Sequence, residues 1–259
     1  MRAIIIAAGQ GTRLRPYTEN KPKCMVELKG KSLLERQIDS LRAAGIDEIV
    51  VIRGYLKNAI QLPGITYVDN LDFKENNILE SLFCAREYLC GDLIISYGDI
   101  TYHPQLIEAL LKQNNPALLV CDQAWQESYV GRSDHPESEA ELCKISIVHD
   151  YELPTVPILR LLEVGKHVTS EEGVAEFIGV TKLNAASVAR LVALYDRALS
   201  KGREQPYQQA AKLRKAYLSD LFNDAIQEGV FLQPFLIKGS WREIDTVQDL
   251  ERAEREISW

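Results

Sequence analysis

The stretch Ala3-Ile4-Ile5-Ile6-Ala7-Ala8-Gly9-Gln10-Gly11-Thr12-Arg13 decides the fold. Its first half is an apolar run rich in β-branched residues that ends at Gly9. A strand buried on both faces, as in the middle of a parallel sheet, has this composition. The glycines that follow let the backbone turn sharply and approach a ligand closely. The sequence therefore predicts a central parallel strand with a ligand-binding loop at its carboxyl end.

Strands and helices alternate through the first half of the chain. Ser32 begins a helix, with Glu35 three positions later as a capping box, and Gly45 ends it. The pattern predicts further strands at 48–53, 65–68, 93–97 and 117–121, and helices at 78–89 and 104–111. This alternation indicates right-handed βαβ units, and hence an α/β fold with a Rossmann-like, mostly parallel central sheet flanked by helices.

The pattern changes after about residue 122. The segment 125–141 is polar and is predicted to be a loop. Strands are predicted at 142–148, 158–164, 175–183 and 230–237, and helices around 188–199, 218–226 and 246–257. Because no segment rich in Gly, Pro or Ser separates the two parts, we expect one domain over 1–259, with a first half at 1–122 and a second at 123–259.

Charge and cysteine content exclude several classes of protein. The net charge of −7 argues against a nucleic-acid-binding surface, which usually needs a basic face. The five cysteines are odd in number and form no CxxC pair, which indicates free thiols in a reducing compartment and hence a cytoplasmic protein. The first apolar run is too short to cross a membrane or to act as a signal peptide.

The glycine loop is open to three interpretations. A dinucleotide-binding fingerprint needs a third small residue where Leu14 stands, and Pro16 interrupts the helix that should follow. A Walker loop would end in Gly-Lys-Ser/Thr, which is missing here. A plain tight turn remains an alternative. The loop continues, however, with Arg13 and with Lys21-Pro22-Lys23, and these cations favour a phosphate-binding loop.

A longer pattern resembles a known superfamily. The run from Ala7 to Pro16, followed by Lys21-Pro22-Lys23, resembles the signature loop of the sugar-phosphate and choline-phosphate nucleotidyltransferases. Residues 76–82 resemble the Asn-Asn-x-x-x-Ser-Leu segment of bacterial phosphocholine and phosphonate cytidylyltransferases. Residues 241–250 resemble their Glu-Ile-Asp-x-Val-x-Asp ending. The resemblance implies a GT-A-like nucleotidyltransferase fold whose first half binds the nucleotide and whose second half binds the acceptor.

The same resemblance implies an activity and a role for each matching residue. The expected reaction is Mg²⁺-dependent transfer of CMP from CTP to a small phosphonate or phosphocholine-like acceptor, with release of pyrophosphate. Lys23 and Arg13 would be catalytic, and Asp99 and Asp245 would hold the metal. The residues expected to bind the nucleotide are Ala7, Ala8, Gly9, Gly11, Thr12, Asn77, Ser81 and Gly98. The residues expected to bind the acceptor are Glu176, Lys182, Tyr129, Arg132 and Asp220.

For several of these residues a structural interpretation is also open. Gly98-Asp99 could simply be a turn after a strand. Asp245 could cap the last helix, with Gln248 completing a capping box. The two loop cations could be solvated surface charges, and the polar residues of the 76–82 segment could start a helix on a wet face.

Other polar and aromatic residues give no single answer. The four histidines show no metal-ligand spacing and are expected on the surface or in loops: His103, His135, His149 and His167. Five aromatic residues could build a cage for choline, whereas a phosphonate with an acidic tail would need Lys or Arg: Trp125, Tyr129, Tyr151, Tyr217 and Trp241. Two rival functions are a sugar-1-phosphate nucleotidyltransferase and a catalytically inactive regulatory homologue. The oligomeric state is open, with a homodimer as one alternative.

Overall fold

The computed structural model of the protein describes residues 1–148 and 158–259. His149 and Tyr151, considered above, lie outside the described residues. The strands are β1 (Arg2–Ala7), β2 (Glu27–Leu28), β3 (Lys31–Ser32), β4 (Ile49–Arg53), β5 (Thr66–Asp69), β6 (Leu93–Tyr97), β7 (Ile100–Tyr102), β8 (Ala117–Asp122), β9 (Leu142–Val148), β10 (Ile158–Gly165), β11 (Ala175–Leu183), β12 (Gln233–Ile237) and β13 (Trp241–Glu243). The α-helices are α1 (Leu33–Ala43), α2 (Ile78–Cys84), α3 (Gln105–Leu111), α4 (Trp125–Tyr129), α5 (Ala185–Lys201), α6 (Leu218–Gln227) and α7 (Val247–Glu256).

One large sheet joins the two halves of the chain. Its main path runs β10-β9-β11-β6-β1-β4-β5, and β8 pairs with β11 and β12. The strands β6, β1, β4 and β5 are parallel, so the predicted α/β fold with a largely parallel central sheet is confirmed. Strand β11 runs antiparallel to β6 and carries the second half of the chain into the same sheet.

Strand β1 lies between two hydrophobic cores, as its composition predicted. Ile4 and Ile6 pack into one core, whereas Ala3 and Ile5 pack into the other. Burial on both faces removes the side chains of all four residues from water, and this is why the run is continuously apolar. The carboxyl end of β1 is therefore held rigidly where the glycine loop begins.

The predicted helix ends are partly confirmed. The Ser32 hydroxyl accepts a hydrogen bond from the Glu35 amide (3.2 Å), and the Glu35 carboxylate accepts one from the Ser32 amide (2.9 Å), which is the expected capping box of α1. Helix α2 ends at Cys84, whereas the sequence predicted a helix to residue 89. The backbone leaves the α-helical region at Ala85, and a short 3₁₀ turn follows at Arg86–Tyr88.

The prediction of a polar loop at 125–141 is wrong for residues 125–129 and for the burial of the segment, whereas 130–141 contains no α-helix or strand. This segment contains the short helix α4, and three of its large side chains are buried: Trp125, Tyr129 and His135. Trp125 and Tyr129 pack with Leu142 and Val168 in a small hydrophobic cluster. The exposed charged residues between them, Glu127 and Asp134, mask the buried positions in the sequence.

A short antiparallel ribbon of β7 and β13 is a feature that the sequence did not predict. Trp241 pairs with Tyr102, and Glu243 pairs with Ile100. The amide of Ile244 also donates a hydrogen bond to the Asp99 carbonyl (2.9 Å). The ribbon therefore brings the segment before α7 beside the turn that follows β6.

Two further expectations concern the cysteines and the length of the helices. All five cysteines are free, as predicted. Within the described ranges, no helix has both the length and the apolar character needed to cross a membrane.

Candidate functional site

A cleft of about 290 Å³ opens beyond the carboxyl ends of β1 and β6. Five of the residues singled out from the sequence line it: Arg13, Asn77, Asp99, Glu176 and Asp245. Its position at the carboxyl end of the parallel strands is where ligands of open α/β sheets bind. The cleft is therefore the candidate active site.

The glycine loop is tied to the segment that carries Lys23. Gly11 has a φ of +63°, and a Cβ atom there would lie 2.8 Å from Lys23 Cβ, so the Lys23 side chain packs directly against the loop. The Thr18 hydroxyl donates a hydrogen bond to the Gly11 carbonyl (2.7 Å). In contrast, a Cβ atom at Gly9 would meet no atom within 4 Å, which leaves open space beside the loop.

Gly98 has a packing reason to be glycine. A Cβ atom there would lie 2.8 Å from the Ile6 carbonyl oxygen and 2.9 Å from Ala7 Cα. Its amide donates a hydrogen bond to the same Ile6 carbonyl (2.9 Å). The turn after β6 can thus lie against β1, which places Asp99 at the mouth of the glycine loop. The predicted contact of Gly98 with a nucleotide stays a prediction.

Four residues from distant parts of the sequence meet in one charged cluster. The Lys23 ammonium lies 2.9 Å from Asp99 Oδ2 and also contacts Asp245 Oδ1. Arg13 contacts the other oxygen of Asp245 at 2.5 Å. Asp99 Oδ1 is buried and has no hydrogen-bond partner in the described part of the chain. The cluster therefore holds two carboxylates around the Lys23 ammonium, with Arg13 on the far side of Asp245, and leaves Asp99 Oδ1 without a protein partner in the described ranges.

Asp245 does not cap the last helix, so the alternative interpretation, a capping box with Gln248, is wrong. The N-cap of α7 is Thr246, whose hydroxyl accepts a hydrogen bond from the Asp249 amide (3.1 Å). The Asp249 carboxylate accepts hydrogen bonds from the Thr246 amide (2.9 Å) and from the Asp245 amide (3.1 Å). Because Asp249 satisfies these helix-end amides, the carboxylate of Asp245 is available to the cleft.

Glu176 lines the cleft from strand β11 and is almost fully buried, with 4% of its surface exposed. Its Oε1 accepts a hydrogen bond from the Tyr129 hydroxyl (2.7 Å). Its Oε2 is also buried and has no partner among the residues that the structure describes. Burial, together with repulsion from Glu243, raises the pKa of the Glu176 carboxyl to about 8.

Arg132 lies behind the cleft instead of facing into it. Its side chain, 6% exposed, contacts Asp249 at 2.6 Å and Glu243 at 3.0 Å. These contacts join the segment after α4 to β13 and to the start of α7. Arg132 therefore positions Glu243 and the backbone around Asp245, and this structural role was not predicted.

Besides Arg132, the predicted acceptor-binding residues Lys182 and Asp220 also lie outside the cleft lining. The Lys182 ammonium donates a hydrogen bond to the Gln113 carbonyl, which ties β11 to the end of α3. The Asp220 carboxylate accepts hydrogen bonds from the amides of Tyr217 (2.8 Å) and Gln209 (3.0 Å), and so it organises the start of α6. Both side chains are engaged in local structure, so their placement does not support acceptor binding.

The two residues of the 76–82 segment that were predicted to bind the nucleotide, Asn77 and Ser81, also have protein partners. Asn77 lines the cleft, caps α2 through the Ile78 amide (2.9 Å) and donates to the Lys215 carbonyl (3.0 Å). The buried Ser81 hydroxyl accepts a hydrogen bond from the Asn70 amide group (2.8 Å). Their predicted role in reading the base stays a prediction.

His135 is a site residue that the sequence interpretation missed: it lies in a loop, as expected, but it is buried and not on the surface. It is 2% exposed. Its Nδ1 lies 3.2 Å from Asp245 Oδ2, and its Nε2 lies 3.6 Å from Glu243 Oε2. These three side chains are close enough to share a metal ion. However, the same two carboxylate oxygens contact Arg13 and Arg132, so the geometry favours an ion-pair network.

Three further cleft residues were missed: Glu141, Lys166 and Glu243. The first two were missed because they are far in the sequence from the other site residues. The Glu141 carboxylate accepts hydrogen bonds from the Ser219 hydroxyl and from the Tyr97 hydroxyl (3.1 Å). Lys166 forms an ion pair with Glu139 at 2.6 Å. Glu243 is the exception, because its spacing of two residues from Asp245 places both on one side of an extended segment. That spacing was a usable signal in the sequence.

Among the residues that the structure describes, the four aromatic residues proposed for a choline cage do not assemble into one. Trp125 and Tyr129 belong to the small hydrophobic cluster next to β9. Trp241 and Tyr217 line the cleft, but the Trp241 indole donates to Asp122 (2.8 Å), and the Tyr217 ring is covered by the Lys166 ammonium at 4.5 Å.

Comparison with known proteins places this geometry among nucleotide-using enzymes. Residues 3–221 match the model of the MobA-like NTP transferase domain. The chain is 29% identical to the CTP:phosphoglutamine cytidylyltransferase of Campylobacter jejuni, over 97% of this chain and 98% of that protein. It is 42% identical to the choline-phosphate cytidylyltransferase of Streptococcus pneumoniae, over 37% of this chain and 43% of the relative. A solved structure of the CTP:phosphocholine cytidylyltransferase from Streptococcus pneumoniae has the same fold, with a TM-score of 0.71 and 24% identity over 98% of this chain and 97% of that one.

Proposed function

Since the chain belongs to the family of MobA-like NTP transferase domains and is a nucleotidyltransferase, we propose that it transfers CMP from CTP to a small phosphonate or phosphocholine-like acceptor. Pyrophosphate would be the second product. The relative from Campylobacter jejuni, which aligns over almost the whole chain, is a cytidylyltransferase that acts on a phosphorylated acceptor. This likeness supports activity of the cytidylyltransferase type on phosphorylated acceptors.

The observation that carries the proposal is the meeting of Arg13, Lys23, Asp99 and Asp245 beside the glycine loop. Transfer of a nucleotidyl group requires cations that bind phosphate oxygens and carboxylates that bind a hard metal ion. Both kinds of group are present within one cluster, next to the open space at Gly9. An inactive regulatory homologue would have no reason to retain all four.

The donor set of this cluster fits Mg²⁺. Asp99 and Asp245 offer carboxylate oxygens, which are the ligands that Mg²⁺ prefers. Asp99 Oδ1 is buried without a partner in the described ranges, so a cation there would satisfy it. Both carboxylates already share one cation, the Lys23 ammonium, which shows that they can face a common positive charge. When bound, Mg²⁺ would supply charge neutralisation at the α-phosphate.

The chain's own residues would then act mainly by positioning and by neutralising charge. An oxygen of the acceptor phosphate or phosphonate attacks the α-phosphorus of CTP in line with the leaving pyrophosphate. Because this oxygen is already ionised at neutral pH, no strong general base is needed. Lys23 neutralises the α-phosphate, while Arg13 and the amides of the glycine loop hold the pyrophosphate. Such a displacement forms no covalent enzyme intermediate.

The test is a pyrophosphate-release assay with each of CTP, UTP, ATP and GTP. Phosphocholine, 2-aminoethylphosphonate and glucose 1-phosphate serve as acceptors. We expect kcat/KM to be about tenfold to hundredfold higher with CTP than with UTP, because a site that accepts hydrogen bonds from the cytosine amine leaves a uracil carbonyl unpaired. The purine nucleotides should be excluded by size. A preference for UTP with glucose 1-phosphate would replace this proposal with the sugar-1-phosphate alternative.

A further inference from the structure

The free oxygen of Glu176 carries information about the acceptor. We propose that the acceptor bears a primary ammonium group on its tail, and that Glu176 Oε2 is the atom that recognises it. The inference rests on the proposed function, because it concerns the second substrate of the same cleft. It makes Glu176 a specificity-determining residue.

The buried carboxylate oxygens of the cleft differ in whether they have hydrogen-bond partners. Among the carboxylates that line it, two buried oxygens lack a partner within the described residues: Asp99 Oδ1 and Glu176 Oε2. Both oxygens of Glu141 accept hydrogen bonds from protein hydroxyls, and Glu139 is paired with Lys166. Buried polar atoms almost always have partners, so an unpartnered one in a cleft indicates that a ligand supplies the donor.

The two free oxygens belong to different parts of the reaction. Asp99 lies beside Lys23 and the glycine loop, where the triphosphate is expected. Glu176 lies on β11, paired with Asp122 of β8 and Leu142 of β9, and it is held by Tyr129 from the second half of the chain. Glu176 therefore faces the acceptor, and the missing donor must belong to the acceptor's tail.

A positively charged donor matches this carboxyl best. Glu176 is almost fully buried, and an ionised carboxylate in such a place needs a cation nearby. In the empty cleft, burial and the neighbouring Glu243 raise the pKa of the Glu176 carboxyl to about 8. A bound ammonium would supply both a compensating charge and the N–H group that Oε2 lacks, and such charge-assisted hydrogen bonds are among the strongest in proteins.

The geometry favours a primary ammonium over the quaternary ammonium of choline. A quaternary ammonium has no N–H group and binds instead on the faces of aromatic rings. The rings that line the cleft are already engaged: Lys166 covers Tyr217, Trp241 is buried and bonded to Asp122, and Tyr97 packs edge-on against Phe177. Within the ranges 1–148 and 158–259, a carboxylate oxygen is therefore available for the tail, whereas an open aromatic cage is not.

The experiment compares three acceptors that differ in the tail: 2-aminoethylphosphonate, 2-hydroxyethylphosphonate and phosphocholine. With CTP and Mg²⁺, we expect the kcat/KM of the wild-type protein to be about tenfold to hundredfold higher for the amine than for the hydroxyl compound. It should also exceed that for phosphocholine. In Glu176→Gln the ratio of amine to hydroxyl compound should fall to near one, because the neutral glutamine side chain cannot form an ion pair with the ammonium.

Two further variants make the result specific. Glu141→Gln is the matched control, because Glu141 lines the same cleft but both of its oxygens are already bonded, and it should keep the wild-type ratio. Glu176→Asp retains the charge and should retain part of the preference. Circular dichroism would show whether each variant is folded.

The outcomes separate this inference from the proposed function. If CMP is transferred but phosphocholine is the better acceptor, or if Glu176→Gln keeps the preference for the amine, the inference is overturned and the proposed function stands. If no nucleotide is transferred to any acceptor, the proposed function fails. In that case, calorimetric titration of the three compounds still ranks them, and equal or undetectable binding to the wild-type protein overturns the inference.

Discussion

Replacing Glu176 by glutamine is expected to stabilise the empty protein at neutral pH. Glutamine has nearly the shape of protonated glutamate and can still accept the hydrogen bond from Tyr129 (2.7 Å in the wild type). Unlike glutamate, it does not ionise as the pH rises. A residue that binds a ligand would in this case reduce the stability of the unliganded fold.

The magnitude follows from the pKa of Glu176. Burial and the negative charges of Glu243 and Asp122 raise this pKa from 4.5 to about 8, against the lowering effects of Tyr129 and Arg132. Between these two pH values the folded protein retains a proton that the unfolded chain has released. Its free energy of unfolding therefore decreases by about 1.4 kcal/mol per pH unit as the pH rises. At pH 7 this contribution amounts to about 3 kcal/mol, and it levels off above pH 8.

The assay is urea-induced unfolding of the wild type and of Glu176→Gln at several pH values between 4.5 and 8.5, without ligands. The two proteins should be similarly stable near pH 4.5, and the variant should be more stable by about 3 kcal/mol at pH 7. Glu108→Gln, at an exposed position on α3 paired with Lys112, is the control and should follow the wild type. If the difference between wild type and Glu176→Gln does not change with pH, the assignment of a raised pKa to Glu176 is refuted.

Three further predictions test the loop and the charged cluster. Lys23→Met should lower kcat by roughly 10²–10³-fold, whereas Lys21→Met, at an exposed position of the same loop, should not. Equal effects of the two substitutions in a steady-state assay would remove Lys23 from catalysis. Asp99→Asn should raise the Mg²⁺ concentration needed for half-maximal activity, because the amide keeps the shape but loses the charge, and an unchanged Mg²⁺ titration would place the metal elsewhere. Gly11→Ala should destabilise the protein by about 1–3 kcal/mol, because the φ of Gly11 is +63° and the new methyl group would lie 2.8 Å from Lys23 Cβ. Thermal unfolding of this variant at the same temperature as the wild type would contradict the prediction.

The parts of the fold that the sequence predicted correctly are those with strong local patterns. Strand β1 is recognisable because it is buried on both faces, and α1 because Ser32 and Glu35 form its capping box. The ribbon of β7 and β13 could not be found in this way, since strands of three residues are too short to show a period. Its pairing depends on contacts between residues far apart in the chain.

The residues of the candidate site likewise divide into those that a local motif reveals and those that only the tertiary structure reveals. Arg13, Lys23, Asp99 and Asp245 were found through motifs, and the structure brings all four together. His135 was not found, because a single histidine in a polar segment carries no local sign of burial. Its position depends on how the chain after α4 folds back toward β13, and this requires the tertiary structure.

The antiparallel strand β11 has a consequence for how such enzymes diversify. It carries Glu176 into the cleft, while β1 and the turn after β6 carry the glycine loop and Asp99. Under the proposed function, the choice of acceptor and the chemistry of the triphosphate depend on separate strands of one sheet. A substitution on β11 would then change the range of acceptors without moving the loop and the turn that hold the nucleotide. A few changes within a single strand would suffice to exchange one acceptor for another.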